Sequence, residues 1–252
     1  MKAVITGASS GIGRDLAKIL SGMGYELVLV ARRGERLEAL RRELPGKAVP
    51  VVLDLSRREN CFYLYDLLRD EEIDFFINNA GFGACGWFTE LPLETELSLL
   101  ETNVAAVHIL TKLFAQKFAK ANHGRILNVA SAAGFMAGPL LSAYYASKAY
   151  VLRLSEGISE ELRQQKSAVR ISVLCPGPVK TEFDQVAGVR FSLRGLDSRK
   201  VAEYAIRKTL QGKRVIIPGF GMRTALFLAR FVPENGVTRA AFHIQHRKLK
   251  TK

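Results

Sequence analysis

The sequence predicts a single α/β domain built on a doubly wound parallel sheet. Short apolar runs alternate with helical stretches along the 252 residues of the chain. The runs have almost no polar alternation, as in ELVLV at residues 26–30, which is typical of strands buried on both faces. Repeated βα units of this kind require a parallel sheet with helices on both faces. The length suits one such domain, 1–252, better than two.

The predicted elements follow in chain order. Strands are expected at residues 2–6, 26–30, 48–53, 73–77, 125–129, 169–174 and 214–217. Helices are expected at 11–23, 36–44, 60–69, 94–121 with a possible break inside it, 144–164 and 199–211. Residues 181–197 have no clear period and are interpreted as a substrate loop over a pocket. An apolar substrate is suggested by the apolar residues of this loop, Phe183, Val186, Val189, Phe191 and Leu193.

Composition and cysteine usage are those of an ordinary globular protein. Hydrophobic residues make up 48% of the chain and charged residues 24%. Cys61, Cys85 and Cys175 are widely spaced, form no CxxC pair and have no neighbouring histidine. We therefore expect reduced thiols in a cytoplasmic protein, and no metal site. The N-terminal residues lack the long apolar region of a secretion signal and lead straight into a strand.

The positive charge is concentrated near the C-terminus. The formal net charge is +13, and residues 189–252 carry 15 Lys or Arg against three acidic residues, a net +12. Such a region suits nucleic acid, a membrane surface or an anionic substrate carrier, or it is a solvated surface that favours solubility. No nucleic-acid-binding motif accompanies the charge, so we expect no nucleic-acid partner.

A glycine-rich segment, TGASSGIG at residues 6–13, lies between the first strand and the first helix. Glycines there let the backbone turn tightly and approach a pyrophosphate, whose charge is favourable at a helix N-terminus. A purely structural turn is the alternative, but the position in the first βα unit favours a nucleotide site. The residues expected to bind the cofactor in this segment are Gly7, Ser9, Ser10, Gly11, Ile12 and Gly13.

The end of the second strand predicts the type of nicotinamide cofactor. A carboxylate there would bind the ribose 2′-hydroxyl of NAD and repel a 2′-phosphate. The strand instead ends VARR, and Arg32 lies 19 residues beyond Gly13. Guanidinium groups hold phosphate with paired charged hydrogen bonds, so Arg32 and Arg33, with Arg14 as a further positive charge, favour NADP(H). The alternative is that these arginines only solvate the end of the strand.

A tyrosine and a lysine four residues apart provide the catalytic hypothesis. Tyr144 and Lys148 share a helix face and can meet the same ligand. A free tyrosine has a pKa of about 10, and a nearby ammonium group favours its phenolate. Such a pair is suited to general acid/base catalysis. Tyr145 is one step round the helix and is expected to lie off that face. An ordinary tyrosine and a solvated lysine would be the alternative if the motif stood alone.

The motifs occur together, and over about residues 2–182 their order and spacing resemble the short-chain dehydrogenase/reductase superfamily. Beside TGASSGIG and YxxxK, the other matching positions are Asp54 after the third strand, NNAG at 78–81, Asn103 in a helix, Ser131, which lies 13 residues before Tyr144, and PGPVKT at 176–181. The resemblance implies a Rossmann-type fold and an NADP(H)-dependent carbonyl or alcohol oxidoreductase that forms a homodimer or homotetramer. No member of the catalytic set is missing.

The resemblance also implies roles for single residues. Ser131 would polarise the substrate carbonyl, and Tyr144 would donate the proton. Lys148 would bind the nicotinamide ribose and lower the pKa of Tyr144, and Asn103 would hold a water that connects Lys148 to solvent. The residues implied in cofactor binding beyond the glycine segment and the arginines are Asp54, Leu55, Asn79, Ala80, Gly81, Tyr144, Lys148, Pro176, Gly177, Val179 and Thr181.

Several of these residues have a structural alternative. Asn79 and Gly81 are also typical turn residues. Asp54 and Thr181 are also typical caps of helices. These structural roles are compatible with the functional ones.

Residues 218–252 form a basic C-terminal extension that fits the family least well. The segment GMRTALFLARF at 221–231 is too short and too charged to cross a bilayer. It predicts an amphipathic helix that covers the pocket, contacts another subunit or lies on anionic lipid. His243 and His246 are expected at the surface, where two histidines alone make a poor metal site.

The function predicted from these features is reduction of a carbonyl with NADPH, or the reverse oxidation. A 3-oxoacyl thioester, a steroid-like ketone and a small aldehyde all remain open as substrates. The basic C-terminal region favours the 3-oxoacyl group, because its carriers are anionic. The rival hypothesis is an NADP(H)-binding sensor or interaction protein with little turnover.

Overall fold

The computed structural model describes residues 1–183 and 195–249. A seven-stranded parallel sheet has the order β3-β2-β1-β4-β5-β6-β9. Its strands are β1 (Lys2–Thr6), β2 (Glu26–Ala31), β3 (Ala48–Val52), β4 (Phe75–Asn78), β5 (Arg125–Val129), β6 (Arg170–Leu174) and β9 (Val215–Ile216); β7 (Val179–Lys180) and β8 (Leu196–Asp197) form a separate parallel pair. The α-helices are α1 (Gly11–Gly22), α2 (Gly34–Glu43), α3 (Arg58–Leu67), α4 (Leu93–Leu100), α5 (Ala106–Ala121), α6 (Ser142–Gln164), α7 (Ser198–Leu210), α8 (Phe220–Ala229) and α9 (Glu234–Leu249). The predicted doubly wound, Rossmann-type single domain is confirmed.

The sheet is buried on both faces because successive strand residues point to opposite sides. Ala3 and Ile5 of β1 pack on one side, against a layer that includes Leu16 of α1 and Ala205 of α7. Val4 packs on the other side, where the layer comes mainly from α3 and α5. In that second layer the ring of Phe76 stacks on Phe114, with centroids 3.9 Å apart. The unbroken apolar runs of the sequence therefore correspond to strands covered by two cores.

The order of the strands places the functional cleft. The chain runs outward from β1 through β2 to β3, then returns to place β4 on the other side of β1. All seven strands are parallel, so their carboxyl ends share one edge. In open sheets of this kind ligands bind at that edge, where the direction of winding reverses.

The predicted long helix at 94–121 has its break at Asn103, one of the predicted site residues. A π-helical turn, Glu101–Ala105, joins α4 to α5 and carries the buried Asn103. Such wide turns inside helices are frequent at functional sites. By length and composition alone the run Leu93–Ala121 could cross a bilayer, but Leu110, Phe114 and Phe118 pack against the sheet as in a core helix.

Helix α9 and the β7–β8 pair were not predicted, and other differences from the sequence prediction lie at element ends. The fourth strand begins at Phe75 rather than at 73, and the last shrinks to Val215–Ile216. Local chemistry explains several of the observed ends: Asp197 caps α7 by accepting from the Lys200 backbone N–H at 3.0 Å. Asn122 ends α5 in a left-handed conformation with φ of 46°.

Candidate active site

One cleft of about 500 Å³ lies at the carboxyl edge of the sheet. Its walls come from the loops that follow β1 to β6, and from α6, α8 and α9. The predicted residues among its lining are Gly7, Ser9, Ser10, Gly11, Ile12, Arg32, Arg33, Asp54, Leu55, Asn79, Ala80, Gly81, Ser131, Tyr144, Lys148, Pro176, Gly177, Val179 and Thr181. Gly13 and Asn103 lie behind this lining. The sheet thus gathers almost all predicted site residues in one place.

Ser131, Tyr144 and Lys148 form one wall of the cleft. The Ser131 hydroxyl faces the phenol of Tyr144 and acts to lower the pKa of that phenol. Ser131 begins a short 3-10 helix, and its Oγ accepts from the Ala133 backbone N–H at 3.1 Å, which fixes the hydroxyl in place. One turn after Tyr144, the Lys148 Nζ lies 5.8 Å from the centre of the tyrosine ring and donates to the Val129 carbonyl at 3.0 Å. The three groups can therefore act on one ligand.

Burial is the largest influence on the pKa values of Tyr144 and Lys148. It raises the pKa of Tyr144 to about 12, although the Ser131 hydroxyl acts in the opposite direction. It lowers the pKa of Lys148 to about 8, because the ammonium form is desolvated. The net shift is therefore opposite to the lowering expected from Lys148, and the group that acts against burial is Ser131. At neutral pH Tyr144 holds a proton that it can donate.

Asn103 ties α6 to the loop after β4. Its Nδ2 donates to the Phe82 carbonyl at 2.9 Å and to Ser147 Oγ at 3.1 Å, while its Oδ1 accepts from the Phe82 backbone N–H at 3.1 Å. Ser147 in turn donates to the Tyr144 carbonyl at 2.7 Å. The side chain of Asn103 thus positions Tyr144 through contacts with its neighbours. The water connection to Lys148 remains a prediction.

A buried polar network beneath this wall was missed by sequence reasoning. Asn78 at the end of β4 donates to Thr111 Oγ1 and to Asn128 Oδ1, both at 3.0 Å. Asn128 in β5 donates to Ser155 Oγ at 3.0 Å. The network fixes two strands to α5 and α6 below Lys148. Its signal in the sequence is an asparagine inside each of two otherwise apolar strands, FFIN and RILNV.

The glycine segment forms a cradle that suits a pyrophosphate. Gly7 has φ of 65°, and a Cβ there would lie 2.8 Å from the Ala80 Cα. A Cβ on Gly13 would lie 2.3 Å from the Gly7 carbonyl oxygen, so Gly13 serves the packing of α1 behind the cleft. The first turn of α1 contains no acidic residue, and Ser10 makes no side-chain cap bond to its N–H groups. A helix N-terminus with these properties attracts an anion, so these residues fit the pyrophosphate of a dinucleotide.

Asn79 has the structural role that its turn character suggested. Its Nδ2 donates to the carbonyls of Thr6 and Gly7, both at 3.1 Å, and so holds the glycine segment against the loop after β4. Asp54 likewise accepts from the backbone N–H of Ser56 at 3.0 Å and from its hydroxyl at 2.8 Å. Burial acts to raise the pKa of Asp54, but those hydrogen bonds and the charges of Arg32 and Arg57 hold it below its ordinary value.

The arginine end of the cleft is built around a glutamate that sequence reasoning did not identify. Arg33 donates to Ser10 Oγ at 2.8 Å and to Ser9 Oγ at 3.1 Å. Arg33 and Arg36 form ion pairs with Glu182 at 2.9 and 2.6 Å. Arg32 lines the cleft beside them. Arg14 is not part of the lining and pairs with Asp15 at 3.6 Å, so the second positive charge at this end comes from Arg33 instead.

The substrate end of the cleft is apolar and is closed by the C-terminal helices. Phe183 packs on Tyr144 with ring centres 5.2 Å apart, and Met222 of α8 also lines the space. Tyr145 forms part of the same lining, although it was expected to lie off the catalytic face. Its hydroxyl accepts from Gln245 Nε2 of α9 at 2.7 Å. Of the predicted apolar loop residues, Val186, Val189, Phe191 and Leu193 lie outside the described residues.

The two tail histidines have different environments. His243 is exposed as expected, but the surface interpretation is wrong for His246, which is half-buried. Its ring stacks on Phe242 at 5.3 Å and lies 6.2 Å from Trp87, because α9 packs over the loop that follows β4. Within residues 1–183 and 195–249, no group of three acidic, histidine or cysteine side chains is placed to hold a metal ion.

Comparisons with known proteins give one consistent result. A family model described as short chain dehydrogenase matches residues 1–188. Estradiol 17-beta-dehydrogenase 11 of Mus musculus is 33% identical over 239 residues, which cover 92% of this chain and 79% of the relative. A short-chain dehydrogenase from Sphingobium yanoikuyae in complex with NADPH superposes with a TM-score of 0.82 and 32% identity, over 91% of this chain and 93% of that one. A short-chain dehydrogenase/reductase from Burkholderia phymatum in complex with NAD superposes with a TM-score of 0.81 and 26% identity, over 90% and 92%.

Proposed function

The chain belongs to the short-chain dehydrogenase family of oxidoreductases, and we propose that it reduces an apolar carbonyl compound with NADPH, or oxidises the corresponding alcohol. The observation that carries the proposal is that Ser131, Tyr144 and Lys148 line one cleft, with Lys148 Nζ 5.8 Å from the centre of the tyrosine ring. This wall stands in the same cleft as the glycine cradle. The cleft therefore joins an acid/base group to a dinucleotide site.

The roles of the residues follow from their ionisation and placement. When bound, NADPH supplies the hydride. Ser131 donates a hydrogen bond to the substrate oxygen, which polarises the carbonyl. Tyr144 gives its proton to that oxygen as the new C–H bond forms, and its raised pKa of about 12 keeps this proton in place at neutral pH. Lys148, one turn along α6, holds the nicotinamide ribose.

The reverse reaction needs the opposite state of Tyr144. To accept a proton from an alcohol, Tyr144 must be a phenolate, which burial disfavours. Positive charge close to the ring would offset this cost. The Lys148 ammonium provides one such charge, and the oxidised nicotinamide is itself cationic. Asn103 and Ser147 keep the tyrosine in register by holding the start of α6.

The choice of NADP(H) rests on the residues of this chain, because solved relatives occur with either cofactor. Arg32 and Arg33 follow β2, and the strand ends without the acidic residue that would bind a ribose 2′-hydroxyl. Two arginines at this end already hold the carboxylate of Glu182. A site that binds one oxyanion between guanidinium groups suits a 2′-phosphate.

The substrate class is proposed from the apolar end of the cleft. Phe183, Met222 and Ile244 offer contacts for a ketone with a sizeable apolar body. The mouse relative is named for a steroid substrate, which favours a compound of this kind. A 3-oxoacyl thioester remains the second candidate, supported by the net +12 of residues 189–252.

The proposal includes an oligomer in the cytoplasm. Leu93, Leu97 and Leu100 are exposed and lie on one face of α4, where a second copy would bury them in a homodimer or homotetramer. Sedimentation of the purified protein measures this directly. Cys61 and Cys175 are free thiols, which suits a reducing compartment.

The test is a turnover assay with the purified full-length chain. NADPH consumption is followed with bulky ketones, 3-oxoacyl thioesters and small aldehydes, with NADH in parallel. We expect turnover of at least one apolar ketone or 3-oxoacyl thioester, with a preference for NADPH. Tight NADPH binding without turnover of any member of the panel would favour the rival hypothesis of a sensor with little activity.

A further inference from the structure

Helix α8 exposes its apolar side to the outside of the molecule. Phe220 and Phe227 are 82% and 57% exposed, and Phe231, directly after the helix, is 74% exposed. At 100° per residue Phe220 and Phe227 fall on one face of the helix. The rings of Phe227 and Phe231 contact each other with centres 5.4 Å apart. This arrangement is the reverse of an ordinary surface helix, whose outer face is polar.

The inner face of the same helix is already occupied. Leu226 is buried, and Met222 lines the cleft beside Gly177. Packing against the protein therefore accounts for one side of α8 and leaves the phenylalanine side open. The expectation that this helix covers the pocket is met by its inner face alone, so the outer face needs a separate explanation.

The charge around the exposed face indicates what covers it. Arg223 and Arg230 are exposed and flank the phenylalanines on one side of the helix. Residues 218–233 contain no acidic side chain, and residues 189–252 carry a net +12. A second copy of the chain would bring two such basic faces together, which like-charge repulsion disfavours. An anionic lipid surface offers both an apolar layer for the rings and phosphates for the guanidinium groups.

We propose that the protein docks on anionic membrane surfaces through α8. The helix lies in the plane of the interface, with Phe220, Phe227 and Phe231 inserted at the boundary between headgroups and acyl chains. Arg223 and Arg230 pair with lipid phosphates. The docking does not depend on the proposed reaction, because none of these five side chains lines the cleft.

Cosedimentation with lipid vesicles tests the docking. The full-length protein is mixed with vesicles of phosphatidylcholine alone or of phosphatidylcholine with phosphatidylglycerol. We expect it to pellet with the anionic vesicles and to stay in solution with the neutral ones. Phe227→Glu/Phe231→Glu should lower the partition constant by roughly tenfold or more, because it removes two inserted rings and adds like charge. Arg223→Glu/Arg230→Glu should abolish the preference for anionic lipid. High salt should weaken the binding of the parent protein to anionic vesicles.

The matched control is Phe62→Glu on α3, where a phenylalanine is 49% exposed on another part of the surface. This variant should pellet like the parent. Thermal unfolding followed by circular dichroism verifies that each variant is folded; if the double phenylalanine variant is not, Phe220→Ser replaces it. The proposal is overturned if the parent does not pellet with anionic vesicles, or if the α8 variants pellet as well as the parent. It is also overturned if they dissociate an oligomer while vesicle binding is unchanged, since the face would then be a subunit interface.

Discussion

The two ends of the cleft are built in different ways. At the end proposed to hold the nicotinamide, Tyr144 and Lys148 are buried, and hydrogen bonds of Ser131, Asn103 and Ser147 fix the groups around them. At the end proposed to hold the adenosine, the side chains of Arg33 and Glu182 are 43% and 40% exposed, and their ion pair faces solvent. One end is a rigid interior, and the other is a hydrated surface.

This difference indicates which changes the protein tolerates. A buried polar group that loses its partner is left without water to replace it, so its loss is costly. Exposed ion pairs are worth little, because water replaces either partner. We expect substitutions at the nicotinamide end to remove function almost completely. Substitutions at the adenosine end should instead shift the balance between two cofactors.

The largest loss of turnover is expected for Tyr144→Phe. The change keeps the ring that packs on Phe183 but removes the hydroxyl that donates the proton. Turnover should fall by roughly 10²-fold or more, as is typical of lost acid/base catalysis. NADPH binding should persist, because the contacts of Lys148 and the glycine cradle remain. Steady-state kinetics give the first quantity, and fluorescence titration with NADPH gives the second.

Tyr145→Phe is the matched control on the neighbouring residue. Its hydroxyl accepts from Gln245, so the change loosens the contact between α6 and α9 and leaves the proton donor in place. We expect nearly parental turnover. The mechanism is wrong if folded Tyr144→Phe works at close to the parental rate, or if the Tyr145 variant is the more damaged of the two.

The second prediction concerns pH and Lys148. Burial lowers the pKa of this lysine to about 8, so its ammonium form is present below that pH and is lost above it. Since kcat/KM reports the free enzyme, its value for NADPH should be flat below about pH 8 and fall as pH rises further, by about tenfold per unit. Tyr144, with a pKa of about 12, stays protonated throughout this range.

Lys148→Met distinguishes the ionisation of Lys148 from that of Tyr144. The variant should bind NADPH more weakly, turn over poorly and lack the fall above pH 8. If the parental profile instead fell through a pKa near neutrality, Tyr144 would be ionising well below the value that burial gives it. The assignment of the proton donor in the reduction direction would then need revision.

Arg32→Asp tests the end proposed to hold the adenosine. It should change the preference between NADPH and NADH rather than the rate of the chemical step. The carboxylate repels a 2′-phosphate but can accept from a ribose 2′-hydroxyl. NADPH binding should weaken by about 1.5 to 3 kcal/mol, as for a lost charged hydrogen bond, and NADH binding far less. Binding titrations with both cofactors measure the difference. Equal losses for both would refute the assignment of Arg32 to the phosphate.

Asn128→Ala tests how much the buried polar network of Asn78, Asn128 and Ser155 stabilises the fold. The change removes partners of Asn78 and Ser155 in a network that has no access to water. Urea unfolding should show a loss of about 1 to 3 kcal/mol in the free energy of unfolding. A surface control is Glu160→Gln, whose carboxylate pairs with Arg163 in the open. If the two variants were equally stable, the network would not be what holds the catalytic wall in place.

The sequence was most informative where function depends on local geometry. The glycine cradle follows from TGASSGIG next to a strand, and the Tyr144–Lys148 pair follows from the helical repeat, since both need only a few neighbouring residues. Partners distant in sequence left no comparable signal. Gln245 meets Tyr145 across 100 residues, and Glu182 meets Arg33 across 149. Such contacts depend on how whole helices and loops pack, which propensity and periodicity do not encode.

The smallest effect is expected for Glu182→Gln. This variant tests whether a change at the exposed end of the cleft alters the affinity for NADPH. Hydrogen bonds from Arg33 and Arg36 lower the pKa of Glu182, so at neutral pH it is a carboxylate between the two guanidinium groups. A 2′-phosphate held there competes with it. The amide is neutral and releases that competition, so NADPH should bind about two- to fivefold more tightly, which is the range of an exposed ion pair.

NADH has no 2′-phosphate, so its binding to Glu182→Gln should change little. Glu38→Gln is the matched control, because Glu38 pairs with Arg41 on the same helix α2 but does not line the cleft. Titrations of all three proteins at low and high salt separate the specific competition from general charge. An equal gain for NADPH and NADH, or the same gain in the control, would mean that Glu182 does not occupy the phosphate position. The contrast between a rigid catalytic end and an adjustable cofactor end would then have to rest on Arg32 alone.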